Sequence, residues 1–188
     1  MDFKEFFARQ RNSDKIVRFS SMLRLKDESV AEHSYHVTFY AMMLADIEQK
    51  LENKVDVEKV FRLALMHDLE ECMTGDILFD FKKSDEKLAE QIERMGLQYL
   101  KKLLDNLPDY LSKDYEKVWA ESRENKGIEG KLVQAADWLE ALMYAIEENS
   151  IGNKNFDKVI NGSVKNLKSL NLKSVDMVLD QLLGEKIG

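Results

Sequence analysis

The residues best suited to chemistry stand together in the run Leu63-Ala64-Leu65-Met66-His67-Asp68-Leu69-Glu70-Glu71, where apolar sequence meets ionisable groups with no turn signal between them. Burying charge is costly unless the charge is paired or bound to a metal ion. On a continuous helix His67 and Glu71 are four residues apart and Asp68 and Glu71 three, so the side chains share one stripe. Adjacent His67 and Asp68 can both lean toward a point beside that helix. An imidazole with a carboxylate is a common ligand mix for Zn, Mn, Fe, Co or Ni, and Glu71 is then left to handle protons.

Two other apolar segments carry the same kind of anomaly. His33 lies on the stripe of Val37, Tyr40 and Leu44, near the start of its helix, which turns its ring toward the core. Asp137 stands between Ala135-Ala136 and Trp138-Leu139. Spacing alone also admits plainer roles: a hydrogen-bonded core histidine at 33, an ion pair from Asp137 to Lys131 or Arg62, and a solvated helix position for Glu71. His36, one turn from His33, is either a further ligand or a packing residue. Cys72 has no base placed beside it by the sequence and reads as a core residue, not a nucleophile.

Helices must position these groups. Of 188 residues, 44% are hydrophobic and 34% charged, with 8 Gly and 1 Pro, a composition rich in helix formers that points to one all-α domain. Ser29 and Glu32 have the form of a capping box ahead of a helix from Val30 to Leu51. Asp56 suits the N-cap of a buried helix that continues through His67 and stops near Thr74-Gly75, where glycine can take the left-handed terminal conformation. Charged segments from Ser84 to Asn106 and from Pro108 to before Asn125-Lys126-Gly127 read as outer helices. Ile128 to Glu148 has a broad apolar face that belongs in the core, and helices around Phe156 to Leu170 and Val175 to Leu183 close the chain. No segment alternates with a period of two.

The same composition excludes several classes. A net charge of −7 repels nucleic acid polymers and acidic membranes, and the five lysines between Lys154 and Lys173 are spaced as the wet side of an amphipathic helix. The longest apolar run, Phe39 to Ala45, falls far short of the ~18 residues of a spanning helix. One cysteine permits no intrachain disulfide, and the start of the chain, charged from Asp2, lacks the pattern of a signal peptide; both point to the cytoplasm.

The fragments Val30-Ala31-Glu32-His33-Ser34, His67-Asp68-Leu69-Glu70-Glu71, Thr74-Gly75-Asp76 and Ala135-Ala136-Asp137, in this order, resemble the HD-domain metal-dependent phosphohydrolases. Within them the chain looks like the bacterial and archaeal branch related to deoxyribonucleoside 5′-monophosphatases. The resemblance implies a single HD-type helical bundle over residues 1–188, with the motifs between 18 and 137 and the helices of 149–188 completing the domain. It implies one divalent metal ion per chain (Mn, Co, Mg, Zn, Ni or Fe), held between core helices by His33, His67, Asp68 and Asp137; His36 lies outside this ligand pattern. Arg18 matches a residue that grips the substrate phosphate, Glu71 the catalytic carboxylate, and Asp76 a residue of the catalytic set that contacts the sugar. Relatives selective for deoxynucleotides commonly carry Trp after the arginine; here the substrate-lining residue is Phe19.

The activity so implied is hydrolysis of the phosphomonoester of (deoxy)ribonucleoside 5′-monophosphates by a water that the metal activates, in a homodimer whose partner is a small nucleotide. Two rivals remain open: an HD-type hydrolase of a nucleoside triphosphate, a cyclic nucleotide or an alarmone, and a non-catalytic helical metal-binding module.

Overall fold

A computed structural model describes residues 1–82 and 84–184, with the side chains at 79 and 80 left aside. Among the described residues the regular structure is helical, and the only extended pairing is an isolated antiparallel bridge between Val17 and Ser29. The elements are α1 (Phe3–Gln10), α2 (Val30–Lys50), α3 (Val57–Met66), α4 (Glu71–Thr74), α5 (Phe79–Lys82), α6 (Glu86–Leu104), α7 (Asp109–Glu124), α8 (Gly127–Ser150), α9 (Asp157–Ser169) and α10 (Lys173–Gly184), with short 3-10 turns at Arg11–Asp14 and Lys154–Phe156. They fall into two compact units, Met1–Ser34 with Leu65–Arg123, and Tyr35–Ala64 with Glu124–Gly188.

Local chemistry sets most helix boundaries. The capping box at α2 is complete: Glu32 Oε2 accepts from the Ser29 N–H at 2.7 Å, and Ser29 Oγ accepts from the Glu32 N–H at 3.2 Å. Asp56 Oδ1 accepts from the Lys59 N–H at 3.0 Å and so caps α3. Asn125 (φ 50°) and Gly127 (φ 69°) take the left-handed conformations that separate α7 from α8. Gly75 has the positive φ expected of it, 78°, but with ψ at 163° it leaves α4 in an extended direction open essentially to glycine alone.

The first unit has a core of Met66, Leu100, Leu104, Leu107 and Trp119, with Phe6 and Leu69 packed against it. This corrects the reading of the charged segments as outer helices. On α6, Leu100, Leu103 and Leu104 are wholly buried, because a narrow stripe at i, i+3 and i+4 is enough to seat a helix whose other faces are charged. Leu104→Ala should destabilise the chain by ~2–5 kcal/mol, read as a fall in the melting temperature. Helix α1 was not apparent from the sequence; Asp2 caps it through the Glu5 N–H at 3.0 Å, and the Asp2 N–H donates to the Asn106 carbonyl at 2.8 Å.

In the second unit α8 runs against α9, and the Tyr144 and Phe156 rings meet edge to face at 5.4 Å. Glu48 is buried on α2 and accepts from the Ser174 N–H in the first turn of α10 at 2.9 Å, a carboxylate at the positive end of a helix. The lysines from 154 to 173 are exposed and Leu167 is buried, as the amphipathic reading of that segment expects. No helix among the described residues is long and apolar enough to cross a membrane.

Candidate active site

The site in the first unit is built on an interruption. The sequence suggests one helix from Asp56 to Thr74, but α3 ends at Met66 and residues 67–70 form a tight turn before α4. The bonds there reach back three residues: Leu69 N–H to Met66 O at 3.3 Å, Glu71 N–H to Asp68 O at 3.0 Å and Cys72 N–H to Leu69 O at 3.3 Å. On a regular helix neighbouring side chains diverge by about 100°. The turn instead brings His67 Nε2 and Asp68 Oδ2 to 3.1 Å of each other.

His33, wholly buried at the start of α2, completes the cluster. Its Nε2 lies 3.2 Å from His67 Nε2 and 3.4 Å from Asp68 Oδ2. Two imidazole nitrogens facing each other at this distance need a proton or a cation between them, since neutral lone pairs would repel. An ion bound at about 2.0–2.1 Å sets neighbouring donors about 2.8–3.4 Å apart, from octahedral to tetrahedral angles. The three separations fall in that range, so the donor set fits a divalent first-row metal. Asp137 belongs to the second unit, half-buried on α8 beside the buried Ala135 and Ala136. His36, also in the second unit, lies between the rings of Tyr35 (5.3 Å) and Tyr40 (6.0 Å), which suits a packing residue.

Glu71 is not a solvated helix residue. It is 4% exposed, its Oε1 is 3.3 Å from Lys82 Nζ, and its buried Oε2 accepts no hydrogen bond from the described residues. Burial first, and then the Asp68 charge, push its carboxyl well above the usual carboxylate range despite Lys82. Burial raises the Asp68 carboxyl too, but His67, the contacts to both histidines and Arg123 outweigh it and hold that group well below its ordinary value. Two carboxylates three residues apart are thus driven in opposite directions, a common mark of functional sites.

Arg18 and Phe19 reach the same region along the backbone. The Arg18 N–H donates to the Glu28 carbonyl at 2.9 Å and the Val30 N–H to the Ile16 carbonyl at 2.9 Å, which ties this segment to the root of α2, three residues before His33. The Arg18 Nε is 3.7 Å from Glu28 Oε2, and its guanidinium carbon is 5.4 Å from the Phe19 ring centroid. Phe19 has a φ of 51°, a conformation that costs a β-carbon residue free energy. It is fixed at both ends: Asp76 Oδ2 accepts from its N–H at 3.2 Å, and its carbonyl accepts from Arg24 Nη1 at 3.1 Å. Asp76 therefore sets the backbone of Phe19.

Four participants escaped the sequence reading: Glu70, Lys82, Trp119 and Arg123. Glu70 is buried, with Trp119 Nε1 donating to its Oε2 at 2.7 Å and Arg123 Nη2 paired to its Oε1. The only sequence signal was the i, i+4 spacing of Trp119 and Arg123 on one helix face. Cys72 is buried as expected, and burial followed by the Glu70 charge pushes its thiol up to about 12. It should give no reaction with Ellman's reagent while the chain is folded and one thiol per chain after unfolding.

Comparison with known proteins gives the class first. The structure superposes on that of an HD-domain phosphohydrolase from Listeria innocua with a TM-score of 0.88 at 24% identity, over 98% of this chain and 89% of that one. A Pyrococcus horikoshii protein of solved structure matches with a TM-score of 0.79 at 26% identity, over 94% and 96%. The fold is therefore that of the HD-domain phosphohydrolases. The family described as 5′-deoxynucleotidase YfbR-like matches residues 5–185, and the chain belongs to that family. It is 32% identical over 157 residues to the 5′-deoxynucleotidase of Pectobacterium atrosepticum (83% of this chain, 78% of that one) and 31% over 172 residues to that of Photorhabdus laumondii (91% and 87%).

Proposed function

We propose that the chain is a metal-dependent 5′-nucleotidase that hydrolyses (deoxy)ribonucleoside 5′-monophosphates, acting in the cytoplasm as a homodimer, with residues 1–188 working as one HD-type domain. The observation that carries this reading is the convergence of His33, His67 and Asp68 at 3.1–3.4 Å with the buried Glu71 beside them. Asp137 is the fourth ligand in this reading, on the strength of its place in the motif order. His33, His67, Asp68 and Asp137 would hold a divalent ion, which when bound would supply positive charge to a phosphoryl oxygen and acidify a water molecule.

The chain's own groups do the rest. Glu71 takes a proton from the attacking water, helped by a carboxyl that binds protons more tightly than an ordinary one. The water oxygen bonds to phosphorus as the ester P–O bond breaks, giving inorganic phosphate and the nucleoside, which takes up a proton. Arg18 binds the phosphate oxygens with its planar guanidinium and so balances their charge. Phe19, its backbone held by Asp76 and Arg24, forms the wall beside the sugar, and Asp76 is the residue that contacts the sugar in this reading.

The test is to strip the protein with a chelator, restore Mn, Co, Mg, Zn or Ni singly, and follow phosphate release from ribo- and deoxyribonucleoside 5′-monophosphates. Turnover with at least one ion and none after stripping is expected. Metal-independent turnover, or activity confined to triphosphates or cyclic nucleotides, overturns the reading. Phe19→Trp should shift the ratio of deoxy to ribo kcat/KM toward the deoxynucleotide by ~10-fold or more, since one well-placed steric contact discriminates by about that much.

A further inference from the structure

Beside the His33–His67–Asp68 point lies a second group of possible ligands. Asp68, Glu70 and Glu71 bring oxygens within 4.8 Å of one another. Three buried or half-buried carboxylates so close demand positive charge among them. The chain itself supplies it. Arg123 sets Nη1 3.8 Å from Asp68 Oδ1 and pairs Nη2 with Glu70 Oε1, while Lys82 Nζ stands 3.3 Å from Glu71 Oε1.

The way Asp68 is shared is informative. Its Oδ2 faces the two histidine nitrogens and its Oδ1 faces the guanidinium. A carboxylate that offers one oxygen to each of two cations is an arrangement suited to two-metal hydrolytic sites, whose ions lie about 3.5–4 Å apart. Glu71 adds an independent sign, because its Oε2 is buried and accepts no hydrogen bond from the described residues. The guanidinium is firmly seated: its carbon lies 4.9 Å from the Trp119 ring centroid, and the same indole holds the other oxygen of Glu70. A Cβ added at Gly96 would stand 3.4 Å from Glu70 Cγ, so Glu70 is packed from its far side as well.

We propose that Arg123 occupies the place of a second divalent cation, gathering the Asp68 and Glu70 carboxylates beside Glu71 and limiting the site to the ion at His33, His67 and Asp68. This rests on the metal reading given above. Arg123 is a positioning residue in this scheme: it presents Asp68 by its Oδ2 and excludes a further ion by charge. Arg123→Gln should then bind one ion more than the native chain. The double variant Glu70→Gln/Arg123→Gln should return to the native count, since a carboxylate is lost with the cation. Arg123→Lys, which keeps the charge, should also stay at the native count.

The experiment is equilibrium dialysis of the chelator-stripped full chain against Mn²⁺, with electron paramagnetic resonance to separate isolated from coupled ions and circular dichroism to establish folding. One isolated ion in the native chain and a coupled pair in Arg123→Gln support the proposal. A coupled pair in the native chain, or an unchanged count in folded Arg123→Gln, overturns it. If Arg123→Gln does not fold, the native count decides: one isolated ion supports the proposal and a coupled pair overturns it. A native chain that binds no Mn²⁺ sinks the metal reading instead, and the role of Arg123 then stands or falls on whether Arg123→Gln gains an ion over it.

Discussion

Asp68→Ala is expected to abolish metal retention and to lower kcat/KM by ~10³-fold or more, because the charge stabilisation supplied by the ion goes with it. The size of the effect follows from geometry. Asp68 has an oxygen within 3.4 Å of both the His33 and His67 nitrogens, and it is held in its charged form by them and by Arg123. Removing it leaves the two imidazoles and, in the proposed ligand set, Asp137, too few to retain a divalent ion through desalting, and it deprives Arg123 of one of its two ion-pair partners. Metal content after desalting and phosphate release from a nucleoside 5′-monophosphate measure the two losses separately. Full metal content together with native turnover would falsify the proposed site.

Glu71→Gln is expected to behave differently, with metal content kept and kcat falling by ~10²–10⁴-fold, the usual contribution of a positioned acid or base. The amide fills the same volume but cannot take a proton from water. The fold should tolerate it, because the desolvation that makes a charge costly at a 4%-exposed position vanishes with the charge. Its loss of the Lys82 contact is confined to one partly exposed amine. A parallel loss of bound metal would show that Glu71 is a ligand and not a proton acceptor, and kcat within a few-fold of native would remove it from the reaction.

Particular residues show what was readable. The Ser29–Glu32 box and the Asp56 cap are signals of short range, written in three or four consecutive positions, and both appear as expected. The apolar stripe that turned His33 inward is equally local. The break at 67–70 is another matter. Nothing in His67-Asp68-Leu69-Glu70 resists a helix, and the turn forms where Met66 and Leu69 are drawn into the core of the first unit. Arg123 and Glu70 lie 53 positions apart, so no window on the sequence joins them. The charged character of α6 and α7 hid the fact that they carry that core.

The sequence by itself determined the helical class, most helix ends, and which residues are candidate ligands, since side-chain chemistry, hydrophobic period and cap residues act over single turns. Tertiary structure alone decided how those ligands face one another. It turned His67 and Asp68 to a common point, buried Glu71 so that its carboxyl is pushed well above the usual carboxylate range, fixed Phe19 between Asp76 and Arg24, and set Arg123 against Asp68 and Glu70. The physical reason is that burial and charge pairing depend on distances through space, and these are set only when elements far apart in the chain pack together.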